Sequence, residues 1–172
     1  IGGFVRIKGK VQLYQGTLQL ILTHIDAVPA SAIDPIDFES MTSQKIEELF
    51  AQLRTILLGF ENPQLRTLME CFLLDDPLMK LLAETPAGVK AHHAYRGGLL
   101  QHVVSLMETC LVVAPRYPEL DSDLLLIGAF LHDAAKIDEL TFDRELGYSD
   151  EGQLIGHIVM AVSYVEEKAR EA

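Results

Sequence analysis

Two periodicities divide the chain. Residues 4–25, FVRIKGKVQLYQGTLQLILTHI, alternate apolar and polar side chains and are rich in strand formers, the pattern of half-buried β-strands. Gly16 in YQGT marks a turn between two strands, and Gly9 predicts a bulge or bend. From residue 42 the apolar spacing becomes helical. In SQKIEELFAQLRTILLGF the side chains Ile46, Leu49, Phe50, Leu53, Ile56 and Leu57 fall on one face. Asn62-Pro63 and Asp76-Pro77 each read as an N-cap followed by proline at the first helical position. They open the helices PQLRTLMECFLL and PLMKLLAE. A long apolar helix follows two glycines in GGLLQHVVSLMETCLVV. SDLLLIGAFLHDAAK is the next helix, capped by Asp121 or Ser122. SDEGQLIGHIVMAVSYVEEKA is the last, capped by Ser149 or Asp150.

Between the two regimes, residues 26–41 carry two prolines among Ser, Asp and Ala. The expected organisation is a β module at 1–30, a linker at 31–41 and a helical domain at 42–172. Two or three strands cannot bury a face alone, so the β module reads as part of a larger one. The fold class expected is mainly α.

The 172 residues are 49% hydrophobic, enough for a substantial core. No uninterrupted apolar run approaches the length of a membrane span, and the first ten residues lack the pattern of a secretory signal. Cys71 and Cys110 lie in apolar helical patterns and read as buried thiols of a cytosolic protein. These readings predict a cytoplasmic location and no membrane partner. The net charge of −11 argues against simple electrostatic binding of nucleic acid. It is unevenly spread, because residues 1–25 hold Arg6, Lys8 and Lys10 and no acidic residue.

The chemistry-bearing residues are His102, the adjacent pair His132-Asp133, and His157. The pair sits inside LLLIGAFLHDAAKIDEL, apolar on nearly every side. An imidazole and a carboxylate buried there need a partner, and a divalent metal satisfies both. Antiparallel packing of three helices would bring the four residues to one point. Mixed imidazole and carboxylate ligands suit Mn, Fe, Zn or Mg. Asp133 has two oxygens and could bridge two ions. Taken singly, each histidine is more often an ordinary core or surface residue; the combination points to a metal.

The order His102, then His132-Asp133, with Lys136 following, resembles the HD superfamily of metal-dependent phosphohydrolases. HHAYRGGLLQH (92–102), LLIGAFLHDAAKIDEL (125–140) and EGQLIGH (151–157) resemble the bacterial 3'-5' exoribonucleases of the YhaM type. RIKGKVQLYQGTLQLIL followed by IDPIDFES is similar to the end of the OB-fold that precedes their HD domain. The resemblance implies a helical HD bundle preceded by a partial OB-fold. It implies His102, His132 and Asp133 as metal ligands, and His157 as a ligand for a second ion or a phosphate contact. Lys136 would touch phosphate or steady the carboxylate, alongside Asp133 in the catalytic group. Ala135 replaces the glycine of the family's HD-x-G-K pattern, and residues 1–172 do not include the family's later histidine pair and final aspartate ligand, which either lie beyond residue 172 or leave the site unable to catalyse.

The same resemblance suggests a substrate surface. His92, His93, Tyr95 and Arg96 precede the ligand helix and would line the cleft, Tyr95 stacking on a base and Arg96 meeting phosphate. Lys8, Lys10 and Tyr14 would form a strand face that tracks a single strand; on the residue pattern alone a solvated strand face is the commoner explanation. His24 has no assigned role. Asp138, Glu139 and Asp143 read as solvated, with one of them available to hydrogen-bond a ligand histidine. The expected function is metal-dependent hydrolysis of phosphodiesters, 3'-5' on single-stranded RNA, with DNA as a second substrate. One or two ions would serve, Mn²⁺ first and Mg²⁺, Fe²⁺, Zn²⁺ or Co²⁺ as substitutes, in a chain that could form a homo-oligomer. The alternatives are an HD phosphohydrolase of small or cyclic nucleotides, or a noncatalytic HD regulatory module.

Overall fold

The computed structural model describes residues 4–32, 41–89, 93–142 and 146–172. His92 and Asp143, two residues singled out above, lie outside that set. The chain forms two compact units, Ile1–Glu39 and Ser40–Ala172.

The first unit is an antiparallel hairpin of β1 (Phe4–Tyr14) and β2 (Thr17–Val28), followed by a single 3-10 turn at Ala30–Ala32. The second strand therefore runs beyond the expected residue 25. Gln15 and Gly16 make the turn, both with positive φ. The register shifts between Lys8 and Gly9, where Lys8 faces His24 but Gly9 faces Leu22. Thr23 is the extra residue, and its hydroxyl donates to the Lys8 carbonyl at 3.1 Å. A side chain on Gly9 would meet the Ile21 carbonyl oxygen at 2.4 Å, so the bulge requires glycine there. The bulge also keeps faces consistent. Val5, Ile7, Val11 and Leu13 pair with Ala27, Ile25, Leu20 and Leu18 across one apolar face. Arg6, Lys8, Lys10, Gln12 and Tyr14 alternate onto the other.

The second unit is helical: α1 (Ser43–Leu58), α2 (Pro63–Leu73), α3 (Asp76–Glu84), α4 (Gly98–Val113), α5 (Ser122–Leu131), α6 (Lys136–Glu139), α7 (Asp150–Leu154) and α8 (His157–Glu171). A short pair of strands, β3 (Leu140–Thr141) and β4 (Gly147–Tyr148), lies between α6 and α7. Thr42, Asn62, Asp75, Asp121 and Ser149 cap α1, α2, α3, α5 and α7 through side-chain oxygens. The cap of α3 is Asp75, one residue earlier than the sequence pattern suggested.

α4 packs against α1, α3 and α5, and its Leu99, Leu100, Val103, Val104 and Met107 are buried in one core. Leu53, Leu57, Met69, Leu82 and Phe130 join that core, and Phe72 meets Phe130 edge to face at 5.6 Å between ring centres. The helical run Gly98–Arg116 is long and apolar enough to cross a membrane by length and composition alone. Its inward face is the centre of this core. Cys71 and Cys110 are free and half-buried.

Two expected helices are interrupted, and both breaks shape the site. The segment predicted as helix to Lys136 leaves α geometry after Leu131. The Ala134 amide donates to Leu131 and the Lys136 amide to Asp133, tighter i to i−3 turns. The last predicted helix breaks at Gly156, whose φ of 81° and ψ of 148° suit only glycine. His157 thereby becomes the first residue of α8.

Candidate metal centre

Helix α4 contributes His102, which lies one turn after the glycine pair. Gly97 adopts φ 82°, a left-handed conformation that glycine tolerates best. A side chain on Gly98 would meet the His93 carbonyl oxygen at 2.0 Å. That carbonyl also accepts from the amides of Ala87 (3.0 Å) and Tyr95 (2.9 Å). The loop is thus tied down around His93, itself at φ 54°, where non-glycine residues are uncommon.

The tight turns after α5 put Asp133 and Lys136 on the same side. Asp133 is buried. Its Oδ2 lies 3.3 Å from His132 Nε2, 3.5 Å from His102 Nε2 and 2.7 Å from Lys136 Nζ. His102 Nε2 and His132 Nε2 are 3.4 Å apart. Asp133 Oδ1 lies 3.3 Å from His157 Nε2. The four expected ligands therefore converge, with two imidazoles on one carboxylate oxygen and the third on the other.

Each distance has a coordination meaning. Two donors each about 2.1 Å from one ion are separated by roughly 3.0–3.4 Å in octahedral or tetrahedral geometry. His102, His132 and Asp133, with separations of 3.3, 3.4 and 3.5 Å, come close to that spacing and form a group able to hold a metal ion. The outer nitrogens agree. His132 Nδ1 lies 2.9 Å from the Ala129 carbonyl, an acceptor that requires Nδ1–H and leaves the Nε2 lone pair for a metal. His157 Nδ1 lies 2.8 Å from Glu139 Oε1, with the same consequence. The donor set fits a divalent ion.

The charges fit as well. Burial alone would raise the Asp133 carboxyl, but hydrogen bonds from His132 and Lys136, with their charges, hold it down at about 2. The hydrogen bond to Asp133 raises His132 above its ordinary value, against a smaller opposing effect of burial. Lys136 also donates to the Ala87 carbonyl at 2.7 Å, so its ammonium is held by two acceptors. Of the two contacts expected of it, the one to the carboxylate is present.

His93 and Tyr95 stand beside this cluster. The His93 ring is 5.7 Å from that of His102 and 5.9 Å from that of Tyr95. The Tyr95 hydroxyl donates to Gln101 Oε1, and burial raises its pKa. Arg96 is well exposed and pairs with Glu84 at 3.2 Å. Lys8, Lys10 and Tyr14 belong to the hairpin unit. Glu139, expected to be solvated or to support a histidine, is buried and does the latter. Asp138 accepts the Tyr164 hydroxyl. The Ala129 and Ala87 carbonyls had no sequence signal, because backbone groups carry none.

A helical unit with His, His-Asp and His gathered at one point defines a class, and comparison with known proteins agrees. Residues 99–172 match the HD domain family, and that stretch holds His102, His132, Asp133 and His157. It is 32% identical over 173 residues to the 3'-5' exoribonuclease YhaM of Halalkalibacterium halodurans, covering 99% of this chain and 53% of that protein. It is 32% identical over 168 residues to the protein of the same name from Oceanobacillus iheyensis, covering 97% and 52%. The corresponding figures for Geobacillus sp. are 31%, 166 residues, 96% and 51%. The chain spans about half the length of these relatives. No solved structure matches it.

Proposed function

We propose that this chain carries the metal centre and part of the nucleic-acid surface of an enzyme that removes nucleotides from the 3' end of single-stranded RNA. The observation that supports this most is the convergence of His102, His132 and His157 on the two oxygens of Asp133. The substrate and direction come from the names of the relatives. In this reading residues 1–30 are part of an OB-fold, 31–41 a linker and 42–172 an HD domain.

Divalent ions, Mn²⁺ in first place, would supply an activated water and neutralise charge developing on phosphorus. His102, His132 and Asp133 Oδ2 would hold one ion. His157 and Asp133 Oδ1 would hold a second. The protein's own groups do the rest. Lys136 holds Asp133 ionised and in register. His93 flanks His102 and Tyr95 flanks His93, where the sugar-phosphate of an incoming strand would lie. Arg6, Lys8 and Lys10 share one strand face with Tyr14, so charge and stacking can track a strand there. That local basic face offsets the overall acidity for a nucleic-acid partner.

The test is incubation with end-labelled single-stranded RNA and Mn²⁺, beside Asp133→Ala. Stepwise shortening from the 3' end, lost in the variant, is expected. Intact RNA with turnover of small nucleotides would move the activity to a different substrate class. No hydrolysis of either would overturn the enzymatic reading.

A further inference from the structure

Glu139 is a buried carboxylate outside the set of expected ligands. Its Oε1 accepts twice from one residue: from His157 Nδ1 at 2.8 Å and from the His157 backbone amide at 3.1 Å. Gly156 breaks the chain so that His157 begins α8. The amide Glu139 receives is thus one of the orphan donors of a helix N-terminus, where a negative charge is favoured. One carboxylate oxygen therefore fixes both the backbone start of α8 and the ring of its first residue.

Glu139 is itself held. Its carbonyl accepts from the Ser149 amide at 2.8 Å, and the Ser149 hydroxyl donates to the Asp138 carbonyl at 2.8 Å. A side chain on Gly152 would meet the Glu139 carbonyl oxygen at 2.4 Å and its Cγ at 2.8 Å. α7 can lie this close to α6 only because residue 152 is glycine. The Ser149 hydroxyl also caps α7 by accepting from the Gly152 amide at 2.9 Å. None of these interactions is needed to hold Asp133 or the other two histidines, which are set by α4 and by the turns after α5.

We infer that Glu139 is the positioning residue for His157: it holds Nδ1 protonated and the ring oriented, so that Nε2 faces Asp133 Oδ1 as a ligand independent of the His102–His132 pair. This rests on the metal reading proposed above and assigns Glu139 a role within it. The chemistry is that of a carboxylate–histidine–metal relay, whose carboxylate raises ligand basicity and fixes the tautomer. The consequence is a divided centre. Loss of Glu139 weakens the His157 side and leaves the His102, His132 and Asp133 side able to bind.

The experiment is calorimetric titration with Mn²⁺ of the wild type, Glu139→Ala and Asp133→Ala, with circular dichroism to verify folding. It is paired with ¹⁵N NMR of the His157 ring in metal-free protein at a pH where the imidazole is neutral. The wild type is expected to show Nδ1 protonated. Glu139→Ala is expected to lose that preference and to lose about 10–100-fold in affinity at one binding step, the range for removing such an outer partner, while another step persists. A folded Glu139→Ala with unchanged tautomer and unchanged binding would overturn the inference while leaving the metal reading intact. Failure of the wild type to bind any metal would instead remove the reading beneath it. Should Glu139→Ala not fold, the wild-type spectrum still decides, because Nε2 protonation there contradicts the inference.

Discussion

Asp133 is the residue on which the site depends. Burial, three imidazoles and the Lys136 ammonium act on one carboxylate. Because its folded pKa is depressed to about 2 from 3.8, it contributes stability to the metal-free protein that is complete above about pH 4. That contribution is lost as pH falls from there toward pH 2. Acid unfolding of Asp133→Asn should therefore lose this part of the wild-type pH dependence. His132 has the opposite sign. Its raised pKa means a proton must leave before a metal can bind, so Mn²⁺ affinity should fall with decreasing pH beginning above pH 6.5. Calorimetry across about pH 5.5–8.5, bracketing the ordinary imidazole range, would check it; a flat profile would contradict a ligand role for His132. The sequence made the four converging residues legible through residue type and order. It did not settle Glu139, because a glutamate after a helix is usually solvated and only the fold buries it.

The elements carry the geometry through their interruptions. Apolar periodicity located the helices correctly but continued α5 and the last helix straight through the site. Periodicity registers which side chains face a core. It does not register a change from i−4 to i−3 hydrogen bonding at His132–Ala135, nor a glycine with φ 81° at Gly156. Likewise β3 and β4, of two residues each, are too short to leave an alternating pattern. These breaks predict sensitive positions that supply no ligand atom themselves. Gly156→Ala should cost about 1–3 kcal/mol, the cost of a strained backbone region, read as a lowered Tm, and should weaken metal binding by displacing His157. Phe72→Ala, in the core beneath α5, should cost about 3–5 kcal/mol with the ligand set unchanged. Finding Gly156→Ala neutral in both readouts would contradict the role given to the break.

At the scale of the molecule, the two units divide the proposed labour. The helical unit holds the proposed ligands, and the hairpin presents Arg6, Lys8, Lys10 and Tyr14 on one strand face. Lys8→Glu with Lys10→Glu should weaken RNA binding and flatten its salt dependence by about 0.7 for each phosphate no longer neutralised, without altering metal affinity. Filter-binding over a salt series would show this, and an unchanged slope would assign the face to solvent. The hairpin was legible as strands with a bulge at Gly9, because alternation and glycine are local signals. Its basic face against a net charge of −11 was legible only by position, since a summed charge hides it. Metal binding should also raise Tm, by about 2.7 kcal/mol of stability at a hundredfold excess over Kd, and chelation should reverse the gain.

The most direct test of the account is anomalous diffraction from crystals grown with Zn²⁺. The account predicts a peak about 2.0–2.2 Å from His102 Nε2, His132 Nε2 and an Asp133 oxygen. Zinc bound only elsewhere, with Asp133 still paired to Lys136 and the imidazoles, would contradict it.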